Sequence, residues 1–416
     1  MLRRPVHAAV ALAFPLLVPA AAFAQSFEAV DTIPWTYGGA FPAYPAAELR
    51  PTDVYVQAGV LHDDNVFRRA SDKRSETVFR SGLGIRHEQR IVGRQSLRLE
   101  ARAEQYSFKR FNELNHVAYG LRGEWLWEFT NDLSGTLGYE HRRRLVDLAQ
   151  LQAPVKDMVT EKHGFATAAY RLGPNVRLRA GLDHVRGDRS ESAFEAAEVR
   201  ATSVIGGVDY VTPLGNAIGI EGRRTRGNAA VAEVVGGTPV DNDFTEREVA
   251  LVVTWTVSPQ LMARGRVGRT SREHEEFSDR DFRGATGRAS VEWTPLNKTG
   301  FVFSAYREPR TIVDVGASYV VVKGISFGPR WAPTEKLVFS ALWRRERQDY
   351  SGDATTEVVG GPELEETVRG LRLGVGWEPV RFSEVALGYD TGRRTSNAGG
   401  RDFRYHAVMA NLRLRF

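Results

Sequence analysis

From Asp53 onward, apolar and polar residues alternate with a period of two. The run from His116 to Phe129 carries the pattern plainly. Val117, Tyr119, Leu121, Trp125, Trp127 and Phe129 share one face, while Arg122, Glu124 and Glu128 share the other. Between Ser96 and Tyr106, Leu97, Leu99, Ala101 and Ala103 oppose Arg98, Glu100, Arg102 and Glu104. A helix would scatter these charges around its surface; a strand separates them onto two faces. The spacing predicts 18 strands. The first nine lie near 53–62, 76–88, 96–107, 115–129, 133–145, 160–172, 176–187, 198–211 and 216–226. The others lie near 244–256, 261–271, 282–294, 299–307, 319–331, 337–347, 365–377, 383–391 and 402–416.

The connections alternate in kind. Thr130-Asn131-Asp132, Gly173-Pro174-Asn175 and Pro295-Leu296-Asn297 are short and made of turn residues; 146–159, 227–243 and 348–364 are long and polar. An aromatic closely followed by proline recurs at the short side, at Tyr210/Pro213, Trp255/Pro259, Trp293/Pro295, Trp331/Pro333 and Trp377/Pro379. Rings at strand ends suit a boundary between oil and water. The pattern predicts an all-β fold: a transmembrane antiparallel up-and-down β-barrel over 53–416, with short periplasmic turns and longer outer loops. Trp125, Trp127, Trp255, Trp293, Trp331, Trp377 and Phe416 are its expected membrane-interface girdle. Repeats of roughly 40 residues also suit a propeller. Two long strands per interval, and no Gly-His…Trp-Asp pattern, argue against that and against a secreted sandwich.

Residues 1–24 read as an export signal: Arg3 and Arg4, an apolar stretch from Ala8 to Ala20, and Ala22-Phe23-Ala24 before Gln25. Residues 25–52, with Pro34, Pro42 and Pro45, read as an irregular periplasmic lead-in or a small plug. No later stretch has the roughly 20 apolar residues of a spanning helix. Mean hydropathy is −0.33 with 26% charged residues, which a barrel tolerates because half of each strand faces inward.

An arginine facing lipid at mid-bilayer costs about 2–4 kcal/mol, so the charged faces are expected to line the lumen. This places Arg98, Arg102, Arg122, Arg142, Arg177, Arg179, Arg264, Arg266, Arg372 and Arg413 inside. Arg80, Arg86, Arg223, Arg288, Arg344 and Arg415 join them, with fewer acids among them. Cross-strand ion pairing would stiffen the wall; an unpaired surplus would attract anions, acidic sugars included. The formal charge of +5 falls to +3 without Arg3 and Arg4.

The absence of cysteine excludes disulfides, thiolate metal sites and a cysteine nucleophile. No histidine pair has HExxH spacing and no Gly-x-Ser-x-Gly elbow occurs, so no catalytic residue, metal or cofactor is assigned and an enzyme is not expected. His62-Asp63-Asp64-Asn65 reads as a polar strand exit, with a metal or catalytic pair as the alternative. Glu273-His274-Glu275-Glu276 with Asp279 and Asp281 reads as a solvated loop, with a divalent-cation site among lipopolysaccharide head groups as the alternative. Nucleic acid is a poor partner for an exported chain with no binding motif.

The exit Asp63-Asp64-Asn65-Val66-Phe67-Arg68 resembles the opening of the exopolysaccharide-locus outer-membrane barrels. These are the EpsL-type proteins associated with the exosortase B system, within the broad β-barrel porin 2 group. The tryptophan-turn hairpins and the ending Arg413-Leu414-Arg415-Phe416 are similar too. The resemblance covers nearly all of the mature chain and supplies no catalytic residues. It implies a component of exopolysaccharide production or export in a Gram-negative outer membrane. Implied partners are outer-membrane lipid and lipopolysaccharide, the barrel-assembly machinery (which the terminal aromatic suits), polysaccharide and periplasmic export components. Tyr106 and Tyr306 are candidate sugar contacts. A general diffusion porin for small anions and a sealed structural or adhesive barrel remain the alternatives.

Overall fold

The fold comes from a computed structural model that describes residues 51–416 except 152–153, 193–197, 230–232, 236–237, 242, 277, 279–280, 311–318 and 352–363. The expected signal segment, and the lead-in up to residue 50, lie outside the described residues. In chain order the strands begin with β1 (Thr52–Asp63), β2 (Glu76–Arg90), β3 (Ser96–Phe108), β4 (His116–Glu128) and β5 (Leu133–Leu145). Next come β6 (Met158–Leu172), β7 (Val176–Arg189), β8 (Val199–Val211), β9 (Ala217–Ala229), β10 (Glu233–Val235) and β11 (Thr238–Val240). Then follow β12 (Phe244–Ser258), β13 (Leu261–His274), β14 (Phe282–Leu296), β15 (Thr299–Arg310) and β16 (Tyr319–Thr334). The last are β17 (Leu337–Ser351), β18 (Glu365–Val380), β19 (Ser383–Ser396) and β20 (Phe403–Arg415).

All but β10 and β11 join one 18-stranded antiparallel sheet, each strand pairing with its neighbours in sequence. The sheet closes where β1 pairs β20, in the register Tyr55↔Arg415 to Asp63↔Ala407. Closure leaves no strand edge, which is what a membrane requires of a sheet. The 18 expected strands are all present. The 227–243 connection, expected as a plain loop, also carries the small β10–β11 hairpin.

Side-chain exposure follows the alternation. On β1, Val54, Val56 and Val60 are exposed while Gln57, Leu61 and Asp63 are buried. Leu83, Leu182, Val249, Leu251 and Leu387 are exposed on other strands, between polar residues of the opposite face. So much apolar wall would be an aggregation surface in water; lipid covers it.

The short turns are built alike. The residue after each ring donates its N–H to the preceding turn: Thr294 to the Gln260 carbonyl (2.7 Å), Ala332 to Lys298 (2.7 Å) and Glu378 to Lys336 (2.8 Å). Register shifts at Trp293/Leu296, Trp331/Thr334 and Trp377/Val380 interrupt the ladder just before its last pair. Pro295, Pro333 and Pro379 sit inside these irregularities, where a missing N–H costs no ladder bond. Lys298 Nζ then donates to the Pro333 carbonyl (2.7 Å), and Lys336 Nζ to that of Pro379 (3.2 Å).

Candidate functional site

The inner face of the wall is a set of ion-paired relays. Asp209 on β8 accepts from Arg177 (2.7 Å) and Arg179 (2.8 Å) of β7. Arg179 reaches on to Glu221 of β9 (2.5 Å), which Arg266 of β13 also contacts; Arg266 pairs in turn with Glu248 of β12 (2.7 Å). One connected network thus ties five strands. Elsewhere Glu161 takes Arg142 and, at 2.9 Å, Arg144. Arg122 pairs with Glu124 at 2.6 Å, Arg98 with Glu88 at 3.2 Å, and Arg264 with Glu292. Arg372 lies 3.5 Å from Asp390, and Arg413 lies 3.6 Å from Glu384 with a 3.1 Å bond to Gln57. Arg80, Arg86, Arg288 and Arg415 also have carboxylate partners. Among the described residues, Arg102 and Arg223 make no ion pair. Arg102 lies instead across Gly120, where a Cβ would stand 3.2 Å from its Nε. The lumenal surplus of arginine expected from the sequence is therefore largely neutralised by acids on neighbouring strands, several of which (Glu88, Glu161, Asp209, Glu248) are revealed as partners only by the register.

At the long-loop end the β1–β2 connection folds inward. Val66 and Phe67 are each 2% exposed and pack on Leu61, Val78, Tyr106, Phe108, Tyr405 and Met409. These strand residues lie on the inner face by parity, so the loop occupies the mouth of the barrel. Leu145, at the end of β5, and the loop residues Leu114 and Leu148 extend the cluster. Phe67 meets Phe111 edge-on at 4.8 Å.

A buried ion pair holds this loop. Asp63, fully buried, accepts through Oδ1 from Arg68 (2.8 Å) and from the Asn65 N–H (2.8 Å), and its Oδ2 faces Arg68 Nη2 as an ion pair at 2.7 Å. Burial opposes the charge on Arg68, but the Asp63 carboxylate overrides that and holds the guanidinium above its ordinary pKa. Arg68 has φ of 54°, a conformation that strains an L side chain. Its guanidinium stacks on Tyr405 at 3.6 Å. Tyr405 can lie flat because its neighbour is Gly392, where a Cβ would fall 2.5 Å from the ring. Asn65 Nδ2 donates to the Arg69 (2.8 Å) and Arg404 (3.0 Å) carbonyls, and Asp64 accepts from the His406 N–H (2.7 Å).

Two sequence expectations are corrected here. The polar strand exit is a fastening in which Asp63 and Asn65 are buried and Asp64 half-buried, and His62 faces away from Asp63, bonding Thr77 at 3.0 Å instead of forming a catalytic or metal-binding pair. Tyr106 is 2% exposed, stacked on His116 at 4.9 Å, and presents no surface to a passing sugar. Tyr306 is half-buried, donates to Glu346 and sits under Arg288. In the acidic 273–281 segment, Glu273 pairs with Arg283 at 3.1 Å and Asp281 accepts from the His274 N–H at 2.8 Å; Asp279 lies outside the described residues. Among the described residues no group of three or more potential metal ligands occurs.

The outward tryptophans of the aromatic–proline repeat lie at the short-turn end. Trp255, Trp293, Trp331, Trp377 and Phe416 are exposed on the apolar wall. Trp293 stacks on Phe301 and Trp331 on Phe339 across strands, each at 5.3 Å. Trp125 and Trp127 are half-buried, Trp125 donating to Gln95 at 3.2 Å.

A closed 18-strand antiparallel sheet, apolar outside and charged within, is a transmembrane β-barrel of porin-like form. Residues 264–416 match the model of a family described as "Putative beta-barrel porin 2". None of the curated proteins matches the sequence. Similar solved structures include OccK3 (OpdO) of Pseudomonas aeruginosa, 12% identical with a TM-score of 0.49, covering 88% of this chain and 96% of that one. The outer membrane protein OpdK of the same organism is 11% identical with a TM-score of 0.47, covering 88% and 99%. The alcaligin outer-membrane receptor FauA of Bordetella pertussis is 12% identical with a TM-score of 0.45, covering 90% and 77%. At such identity no residue's role transfers from them.

Proposed function

We propose that the chain is an outer-membrane β-barrel of a Gram-negative exopolysaccharide system. It passes or guides an acidic polysaccharide, and the β1–β2 loop sets how far its mouth is open. The observation that carries this reading is the charged inner wall of a closed 18-strand barrel, a strand number wide enough for a water-filled lumen. Guanidinium donors and carboxylate acceptors along the wall offer polar contacts to sugar hydroxyls, and Arg102 and Arg223 can receive acidic groups. The likeness of Asp63–Arg68 to the opening of exopolysaccharide-locus barrels supports a polymer as the cargo. No chemical step is assigned to any residue. Polysaccharide, periplasmic export components, the assembly machinery and lipopolysaccharide are the partners this role requires.

A diffusion porin for small anions is favoured by one observation: the wall arginines are mostly paired, leaving a weak field with little grip on a polymer. Deleting the gene and measuring secreted polymer separates the two. The export reading expects secretion to stop; normal secretion with slowed uptake of small anions would overturn it in favour of the porin. In planar bilayers the Arg102→Gln/Arg223→Gln double variant should lose most of the anion preference of the wild type. An unchanged reversal potential would remove these two arginines from the ion path.

A further inference from the structure

The strand register reveals a second array of arginines on the outer wall. Arg345 of β17 stands directly opposite Arg369 of β18, Arg369 opposite Arg393 of β19, and Arg393 opposite Arg404 of β20. All four are exposed. They share the parity of the exposed residues Trp343, Leu371, Leu387 and Val408, so they point outward and not into the lumen. None of the four makes an ion pair among the described residues. Nearby carboxylates are engaged elsewhere: Asp349 holds Lys323 (2.7 Å) and Arg347 (2.8 Å), Glu365 holds Arg347, and Asp402, two residues before Arg404, accepts from the Ser396 N–H (2.6 Å).

Like charges placed directly opposite one another destabilise a sheet. Four in a row, spanning roughly 14 Å at about 4.8 Å per strand, therefore call for anions from outside the chain. Their height says which anions. Arg369 lies eight residues before Trp377, and on other strands Lys323 lies eight before Trp331 and Arg247 eight before Trp255. Eight residues at about 3.3 Å, tilted by about 40°, rise roughly 20 Å, close to the apolar band of a barrel. Arg369 thus sits where hydrocarbon gives way to head groups, on the long-loop side, and the row, running perpendicular to strands tilted by about 40°, crosses that boundary obliquely over roughly 9 Å of height. An outward arginine costs little there, though it costs several kcal/mol at mid-bilayer. Trp343 and Leu371, the next residues down on the same face, with Val408 and Leu387 farther along their strands, offer a surface for acyl chains.

We infer that Arg345, Arg369, Arg393 and Arg404 form a binding row for the phosphate groups of a phosphorylated glycolipid in the leaflet on the long-loop side. The guanidiniums hold the phosphates and the apolar wall beneath holds the chains. The inference rests on the transmembrane placement proposed above. Its test uses the full chain in neutral detergent, offered a bisphosphorylated glycolipid or the same lipid stripped of phosphate, with retained lipid counted by native mass spectrometry. Wild type should retain the phosphorylated form at least about tenfold more tightly than the stripped form. The Arg345→Gln/Arg369→Gln/Arg393→Gln/Arg404→Gln variant should lose that difference, and the corresponding four-Lys variant should keep most of it. Equal retention of both lipids by the wild type, or undiminished retention by the Gln variant, would overturn the row. Insertion into phosphate-free bilayers reads the placement separately. Wild type and Gln variant should both insert; failure of the wild type would overturn the transmembrane reading itself.

Discussion

Single residues decide where this barrel is rigid. Glu221 is 3% exposed and serves both Arg179 and Arg266, so its loss takes one of two carboxylate partners from each and cuts the link between Asp209 and Glu248. Glu221→Gln should lower stability by about 1.5–3 kcal/mol, read as a lower urea midpoint for unfolding from vesicles. Glu292→Gln, which frees only the half-exposed Arg264, should cost less than about 1 kcal/mol in the same assay. Equal effects would mean that the five-strand relay holds nothing together. The composition of such relays was only partly legible. Parity assigns Arg179, Arg266, Glu221 and Glu248 to one face, but Asp209, and which acid meets which arginine, come only through the register, which a single strand does not encode. At the mouth, the short polar exit Asp63-Asp64-Asn65 reads like any strand end. Its burial comes from Val66 and Phe67, which follow it and carry it inward.

The strands themselves were written in the alternation, because lipid outside and water inside make the period of two compulsory. The turns were legible through the aromatic–proline repeat, whose prolines mark the ladder irregularities at Trp293, Trp331 and Trp377. The β10–β11 hairpin was not, since three-residue strands carry too few residues to show a period. The chain contains no cysteine, so single cysteines can test the facing of a strand cleanly. Strand β12 is the informative case, because Leu251, Val252 and Val253 are all apolar and hydropathy alone cannot sort them. In proteoliposomes, a membrane-impermeant maleimide should label Val252→Cys and Thr254→Cys, while Leu251→Cys and Val253→Cys should react only with a lipid-soluble reagent. The reverse order would mean the register is off by one residue.

Over the whole molecule, charge is divided in an unexpected way. The sequence offered both cross-strand pairing and an unpaired surplus of arginine in the lumen. The inner wall pairs most of its arginines with acids, and the quartet Arg345, Arg369, Arg393 and Arg404 stands without an ion pair among the described residues on the outer wall. The mid-bilayer penalty hid that quartet from a reading by parity, because it argues against any outward arginine and yet fades at the interface. The central claim is that a polar conduit runs through the barrel and that the inward-folded β1–β2 loop, fastened by Asp63 and Arg68, limits it. Single-channel conductance in planar bilayers tests this most directly, comparing wild type with Asp63→Ala. Removing Asp63 takes from the buried Arg68 its ion-pair carboxylate, at a cost of about 3–5 kcal/mol that expulsion of the loop relieves. The account predicts a small wild-type conductance that rises severalfold in the variant. No conductance from either protein, with both folded and inserted, would contradict it.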